Sequence, residues 1–300
     1  MSKPLNIAGL LFGSLKTTGG YQVFAYNLFR CLAERGHKIT LFITANEYSL
    51  DPNFYNALPF PVSSLLPRTK GLAKYLPSLV KKELRNRQKQ NPYDLWQIIG
   101  AYPAGFLATT LKGLVPLVLR THGDDIQTNE NLAYGQRLDQ RRNQDVIKTL
   151  HAMDRVIALT PSVSACYRES HIPDDRIVEI PNGISLDRFQ KTINKTQIRQ
   201  YLGVPVETHL LLTVSRNHPK KGLNLIPEMA TELKKQGLQF HWLIVGKDVE
   251  QLENDITQRS LNQDITLYGE VKAVPNAQTH LELPSEALID IFCCADIFVF

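Results

Sequence analysis

The sequence predicts an α/β protein made of two tandem doubly wound units, of which the second is incomplete. Apolar runs of strand length alternate with amphipathic segments of helix length along the 300 residues, a pattern typical of parallel β-α-β units. A chain of this length also exceeds the size at which a single hydrophobic core usually divides. The last apolar run is still a predicted strand at Phe300, so we expect the sequence to be a fragment or a truncated protein.

The first predicted unit occupies residues 1–190. Its first strand, 5–12, precedes a helix at 21–35 that Gly36 ends as a C-cap residue, and the next strand is 38–44. One face of this helix is predicted to be apolar and contains Phe24, Leu28, Cys31 and Leu32. Later apolar runs complete the unit as buried strands at 95–100, 116–121, 155–160 and 177–180.

A polar stretch after the first unit predicts the linker, which we place at 191–207, and the second unit at 208–300. The alternation resumes there with strands at 210–215, 240–246 and 265–268 and helices at 223–236 and 249–259. In doubly wound units a ligand cleft is expected at the carboxyl ends of the strands.

The positive charge of the chain is concentrated in residues 68–89. Eight Lys and Arg residues there oppose a single acid, Glu83, so this segment carries +7 and the rest of the chain −2, for a net charge of +5. In the same segment apolar residues recur at three- and four-residue steps, namely Leu72, Tyr75, Leu76, Leu79, Val80 and Leu84. This predicts a basic amphipathic helix, which either lies on an anionic membrane surface or packs its apolar face on its own domain. Nucleic acid is not predicted, because no aromatic stacking platform accompanies the charge.

Several function classes lose support from motifs that the sequence lacks. No window reaches the roughly 18 apolar residues of a membrane span, and the first residues lack a cleavable signal pattern. We therefore expect a cytoplasmic protein, either free or peripheral on the inner face of the plasma membrane. The four cysteines have no metal-ligand spacing and are predicted to be reduced packing residues. Neither a zinc motif nor the GxxxxGK[ST] phosphate loop occurs.

The segment TVSRNHPKKG, 213–222, gathers basic side chains at the end of a predicted strand. Arg216 follows the strand and Lys221 precedes the next helix, with His218 and Lys220 between them. A guanidinium and an ammonium group suit a diphosphate, and the positive end of the helix adds to their field. The alternative is a solvated basic turn.

Two further segments follow predicted strands in the first unit. In GSLKTTGG, the pair Gly19 and Gly20 either supplies a turn with positive φ or lets a ligand approach the backbone. In VLRTHGDDI, His122 ends a strand and is either structural or part of a site, and Asp124 and Asp125 follow it. These adjacent acids could bind a metal, although neighbouring side chains on an extended segment point apart.

Seven motifs occur in this order: TTGGYQVFAYNLFRCLAERGHKI, LRTHGDD, DRVIALTPSV, IPNGISLDRF, LLTVSRNHPKKGLNLI, WLIVG and LIDIFCCADIFVF. The ordered series resembles the glycosyltransferases of family four, the retaining GT-B group, from about residue 5 to residue 300. The resemblance implies two Rossmann-like domains and transfer of a sugar from a nucleotide-diphosphate sugar to a polysaccharide or glycolipid acceptor. It further implies retention at the anomeric carbon, with no essential metal or other cofactor.

The resemblance also implies roles for individual residues. Arg216 and Lys221 match the clamp on the donor diphosphate, and His122 matches the histidine beside the donor sugar. The glycine loop near the donor phosphates and the acceptor, and further substrate contacts, are matched by Gly19, Gly20, Asp125 and Gly246. The family's paired glutamates would follow the ADIFVF strand, after the last residue of the sequence.

Two alternatives remain beside this enzyme. A truncated, inactive remnant would bind a membrane or a partner through residues 68–89 without catalysis. An epimerase acting on the nucleotide sugar would need acid and base groups around the ring, for which only His122 and Asp125 are at hand.

Overall fold

The computed structural model describes residues 3–16, 19–65, 76–271 and 284–300. They form two compact units, which divide in the sequence between Gly183 and Ile184. The predicted boundary at 190 and the predicted linker at 191–207 differ from this arrangement. Residues 191–207 lie in the second unit and contain the helix Lys195–Tyr201, whose Arg199 is buried.

The first unit contains a parallel sheet of seven described strands in the order β3-β2-β1-β4-β5-β6-β7. The strands are β1 Asn6–Leu11, β2 Lys38–Thr44, β3 Val62–Leu65, β4 Leu95–Ile99, β5 Leu117–Arg120, β6 Arg155–Ala158 and β7 Ile177–Glu179. All the strands predicted in this unit are present within two residues of their predicted ends. Strand β3 was not predicted, because its sequence VSSL has no apolar run and its first three residues are only half-buried.

Helices connect the strands of the first unit. They are α1 Gly20–Glu34, α2 Ala45–Leu50, α3 Pro52–Asn56, α4 Leu76–Gln90, α5 Phe106–Ala108, α6 Gln140–Ala152 and α7 Pro161–Glu169. On α1 the fully buried residues are Ala25, Tyr26 and Phe29. The four residues of the predicted apolar face, which begins at Phe24, are half-buried, so the fully buried stripe lies beside that face. The reason is on β1, where Gly9 leaves room for Phe29: a Cβ at Gly9 would lie 2.5 Å from that ring.

Helix α4 is the described part of the basic segment, and residues 68–75 lie outside the described ranges. Val80 and Leu84 are buried in the core of the first unit. Arg87 pairs with Glu83 at 2.7 Å, and the ammonium of Lys81 lies 4.0 Å from the ring centroid of Phe106. The side chains of Val80 and Leu84 therefore pack on their own domain.

The second unit contains a parallel sheet in the order β10-β9-β8-β11. Its strands are β8 His209–Val214, β9 Phe240–Val245, β10 Ile265–Leu267 and β11 Ile297–Phe298, and its α-helices are α8 Lys195–Tyr201, α9 Ile226–Lys235, α10 Glu253–Gln258 and α11 Glu286–Cys294. The two helices predicted before β9 and β10 begin later than expected. Each starts with a 3-10 turn, Leu223–Leu225 before α9 and Val249–Leu252 before α10.

Arg199 joins three elements of the second unit. Its side chain is 5 % exposed and donates hydrogen bonds to the carbonyl oxygens of Cys294, Val206 and Thr208 and to Asp296. The Asp296 carboxylate also accepts the Leu210 N–H at 2.9 Å. Helix α8 is thus attached to the beginning of β8 and to the end of α11.

None of the four cysteines forms a disulfide, as predicted. Within the described ranges, no helix has both the length and the apolar run that crossing a membrane requires.

Candidate active site

In the first unit, His122 lies two residues after β5, where α1 covers it with aromatic rings. The ring centroids of Tyr21 and Phe24 lie 4.7 and 5.2 Å from that of His122. Burial and, to a smaller extent, the nearby Arg120 cation lower the pKa of His122 to about 3. Its Nε2 atom is buried and has no hydrogen-bond partner among the described residues. The imidazole is therefore neutral near pH 7, with one ring nitrogen open to a hydrogen bond.

Asp125 hydrogen-bonds to the backbone of this histidine. Its two carboxylate oxygens accept the N–H groups of His122 and Ala101, both at 2.7 Å, and the residue is 3 % exposed. Burial raises its pKa to about 6, while these hydrogen bonds act in the opposite direction. Because both oxygens are engaged by backbone, Asp125 links the ends of β4 and β5. The substrate contact predicted for it stays a prediction.

Gly19 and Gly20 begin helix α1. Gly19 is the N-cap residue with φ −71°, and neither glycine has a positive φ, so the explanation of the pair as a positive-φ turn was wrong. Apart from the backbone of α1 itself, no described atom lies within 4 Å of the position that a Cβ of Gly20 would occupy. The approach of a ligand to the first turn of this 15-residue helix, the other alternative, stays a prediction.

In the second unit, Arg216 follows the end of β8, and Lys221 ends the 3-10 turn Pro219–Lys221. Both side chains are exposed, and neither forms an ion pair with a described carboxylate. Partial desolvation lowers the pKa of Lys221, and the charges of Lys220 and Arg216 add to this effect. The ammonium of Lys221 lies 4.6 Å from the ring centroid of Phe300.

The positions of Arg216 and Lys221 depend on local backbone geometry. The Nδ1 atom of His218 accepts the Lys220 N–H at 3.2 Å and caps the turn, and Gly222 then takes the left-handed conformation with φ 66°. This brings Arg216 and Lys221 together at the carboxyl end of a strand, and neither forms an ion pair with a carboxylate among the described residues. Such an arrangement favours a polyanion, because bringing cations together is unfavourable until an anion binds.

Gly246 supports this arrangement from the end of β9. Its φ is 153°, and a Cβ there would lie 1.9 Å from the oxygen of Ser215 and 3.1 Å from the nitrogen of Arg216. Gly246 therefore permits two strand ends to approach each other beside Arg216. The structure shows its role in close packing, and the substrate contact predicted for it stays a prediction.

Sequence reasoning missed Arg120, the last residue of β5, which is 1 % exposed. Its guanidinium lies 3.9 Å from the ring centroid of Phe24 and hydrogen-bonds to Ile180 and Asn182. A signal was available in PLVLRT, since an arginine inside an apolar strand needs specific partners.

Comparisons with known proteins identify the family of the chain. The family model Glycosyltransferase Family 4 matches residues 18–188, which is more than half of the chain, and the model Glycosyl transferases group 1 matches residues 194–295. A curated D-inositol 3-phosphate glycosyltransferase from Nocardiopsis dassonvillei is 29 % identical over 231 residues, which cover 72 % of this chain and 52 % of that protein. The chain thus spans about half the length of the curated relatives it matches.

Solved structures of similar fold include Anabaena Alr3699/HepE in complex with UDP-glucose, with a TM-score of 0.72 and 16 % identity over 98 % of this chain and 73 % of that chain. The sucrose-phosphate synthase of Thermosynechococcus elongatus has a TM-score of 0.69 and 18 % identity, covering 98 % of this chain and 74 % of its own. At these identities the likeness shows the fold, which is the α/β fold of GT-B type that the sequence predicted.

Proposed function

The chain belongs to Glycosyltransferase Family 4, and we propose that it transfers a sugar from a nucleotide-diphosphate sugar to a polysaccharide or glycolipid acceptor with retention of anomeric configuration. The observation that carries this proposal is the pair Arg216 and Lys221, exposed at the carboxyl end of β8 and without a carboxylate partner among the described residues.

In the proposed reaction the bond between the anomeric carbon and the diphosphate breaks, and negative charge grows on the leaving oxygen. Arg216 can form two parallel hydrogen bonds to phosphate oxygens, and Lys221 adds a compact charge. Cations already in place stabilise this charge without reorganisation, so the step needs no metal. The acceptor hydroxyl would attack from the face that the diphosphate leaves.

His122 would act on the sugar. A neutral imidazole with a free ring nitrogen can exchange a hydrogen bond with a sugar hydroxyl, and it would not compete with the cations for the diphosphate. The open first turn of α1 at Gly20 supports an approach of ligand oxygens to backbone N–H groups. Asp125 would contribute indirectly by fixing the backbone of His122.

A binding experiment with UDP tests the clamp first, because the structurally similar Anabaena HepE was solved in complex with UDP. Calorimetry would compare the unmodified chain with Arg216→Ala, Arg216→Lys and the control Lys235→Ala, which removes an exposed cation at the end of α9. Loss of charge-assisted hydrogen bonds worth about 2–3 kcal/mol should weaken UDP binding about 100-fold in Arg216→Ala and less in Arg216→Lys. Unchanged binding in Arg216→Ala would exclude the clamp. Turnover of nucleotide sugars by the same variants then tests transfer itself.

A second candidate function is contact with an anionic membrane surface on the inner face of the plasma membrane. On α4 the exposed cations Lys82, Arg85 and Lys89 recur at three- and four-residue steps and so share one face of the helix, while Val80 and Leu84 are buried in the core. The contact would therefore be electrostatic, at about 1 kcal/mol for each cation near the surface.

Flotation with vesicles of anionic and neutral lipid tests this contact. Replacing the three α4 cations by Gln should abolish binding to anionic vesicles, and added salt should weaken it. The control replaces three exposed cations of α6, Arg141, Arg142 and Lys148, by Gln. Equal loss in both triple variants would indicate a nonspecific charge effect and contradict a role for α4. Vesicle binding without any turnover of nucleotide sugars would favour the binding remnant over the enzyme.

A further inference from the structure

Arg120 carries a buried charge without a carboxylate partner among the described residues. Its Nη1 donates to the Ile180 carbonyl at 3.1 Å and its Nη2 to the Asn182 side-chain oxygen at 2.6 Å. Its Nε is buried without a partner in the same part of the chain. Burying a guanidinium on neutral partners is unfavourable, so the geometry that it maintains needs an explanation beyond packing.

The two hydrogen bonds join strands that are not neighbours. Arg120 ends β5, whereas Ile180 and Asn182 follow β7, and β6 lies between them in the sheet. Two strand spacings of about 4.8 Å separate β5 from β7. A side chain of the length of arginine, with two parallel donors at its tip, can cover this distance and fix two acceptors at once. A lysine carries its three N–H donors on one nitrogen, so it lacks the two separate donor nitrogens that Arg120 places against these acceptors.

The same guanidinium contacts the environment of His122. Phe24 lies between them, with its ring centroid 3.9 Å from the Arg120 guanidinium carbon and 5.2 Å from the His122 ring centroid. Asn182 is two residues before Ile184, where the second unit begins. Arg120 thus contacts both the Phe24 ring that packs against His122 and the last residues of the first unit.

We propose that Arg120 is a positioning residue that holds His122, through Phe24, and the segment from Ile180 to Asn182 in one fixed arrangement. The segment through which the chain leaves the first unit is thereby held in place relative to His122. This inference goes beyond the transfer reaction and does not depend on which substrate is bound.

The charge of Arg120 adds a second effect on the histidine. The groups that lie near His122 are the rings of Tyr21 and Phe24 from α1, the Arg120 cation from β5, and Asp125 in the loop after β5, which accepts the His122 N–H. Burial is the larger cause of the low pKa of His122, and the cation of Arg120 acts in the same direction. Removing the charge should therefore raise the pKa of His122, whereas a substitution that keeps the charge should raise it less.

Hydrogen exchange of single amides tests the arrangement without any substrate. The Ile180 N–H donates to the Ala158 carbonyl at 2.9 Å and reports whether the segment remains on the sheet. We expect exchange at Ile180 to be at least about tenfold faster in Arg120→Met and in Arg120→Lys, since a buried hydrogen-bonded charge is lost or displaced. Exchange in β2 should not change. Unchanged exchange at Ile180 in either folded variant, or equal acceleration throughout the first unit, would overturn the proposal.

A pH titration of the His122 imidazole signal in nitrogen-15-labelled protein supplies the second measurement. We expect a higher pKa in Arg120→Met than in Arg120→Lys, and an unchanged pKa in Arg199→Met, a control that removes an equally buried arginine from the second unit. An equal pKa in all variants would refute the link to the histidine. If Arg120→Met does not fold, Arg120→Lys, Asn182→Ala and their combination replace it. If the effects of Arg120→Lys and Asn182→Ala on exchange at Ile180 simply added in the double variant, Arg120 and Asn182 would act independently, and this would contradict the proposal. None of these outcomes depends on transferase activity.

Discussion

Replacement of Gly246 by alanine should strongly destabilise the second unit. The new Cβ would lie 1.9 Å from the Ser215 oxygen, and Cβ atoms are essentially never found closer than 3.0 Å, so the strand ends must separate by about 1.1 Å. The Ser215 N–H donates to Val245 at 2.9 Å, and a separation of this size would stretch that bond to about 4.0 Å and break it.

The cost of this substitution has three parts. A strained φ costs about 2 kcal/mol, overpacking about 1 kcal/mol and the lost hydrogen bond about 1 kcal/mol. A total of about 4 kcal/mol should lower the Tm by about 10 °C. UDP binding should weaken as well, because the displaced peptide leads directly into Arg216.

Gly237→Ala provides the matched control. Gly237 also has a positive φ, of 76°, but no atom lies within 4 Å of its Cβ position. It should lose only the backbone preference of glycine, about 1 kcal/mol or about 3 °C, and retain UDP affinity. If thermal unfolding gave the same Tm for both alanine variants, the close approach at Gly246 would not be the source of the effect and the reasoning would be refuted.

Three further predictions concern pH, a buried arginine and metals. In His122→Gln the free energy of unfolding should fall as pH rises from about 4 to 6, because the Asp125 carboxyl, with its pKa raised to about 6, binds its proton more tightly when folded. In Asp125→Asn the free energy of unfolding should instead rise between about pH 3 and 6.5, because His122, with its pKa lowered to about 3, must lose a proton to fold. Urea unfolding at a series of pH values measures the slope in each variant. Parallel slopes in the two variants would contradict these two pKa shifts. Arg199→Met should cost about 3–5 kcal/mol by leaving its buried acceptors unpaired, and calorimetric unfolding with a loss below about 1 kcal/mol would disprove that role. Chelation with EDTA should leave UDP affinity unchanged if Arg216 and Lys221 supply the positive charge; a loss of affinity would show that a metal contributes.

The alternation of strands and helices was predictable because each buried strand needs a continuous apolar run. The apolar runs in the sequences of β1, β2 and β9 are nearly uninterrupted, and the ends of these strands agree with the prediction within one residue. Strand β3 offers two serines and lies at the edge of the sheet, where one face needs little apolar content. Its existence depends on pairing with β2, which the local sequence does not encode.

The candidate site was predictable by position and less so by role. His122 and Arg216 follow strands, and this topological rule identified them. Asp125 satisfies the same rule, but its oxygens face backbone N–H groups contributed by two strand ends, and such acceptors are invisible in a sequence. Gly246 was predicted as a substrate contact from the resemblance, whereas its close approach to Ser215 is visible only in the structure.

The candidate site side chain His122 of the first unit is neutral, whereas Arg216 and Lys221 of the second unit are positively charged. In the first unit, burial and a neighbouring cation keep His122 neutral, although a charged imidazole would attract a phosphate more strongly. In the second unit, Arg216 and Lys221 remain exposed and charged despite their mutual repulsion. A neutral hydrogen-bonding group suits the hydroxyls of a sugar, and clustered cations suit a diphosphate, whose charge grows as it leaves. Taken separately, the neutral histidine of the first unit and the cations of the second support the nucleotide-sugar donor proposed for the chain.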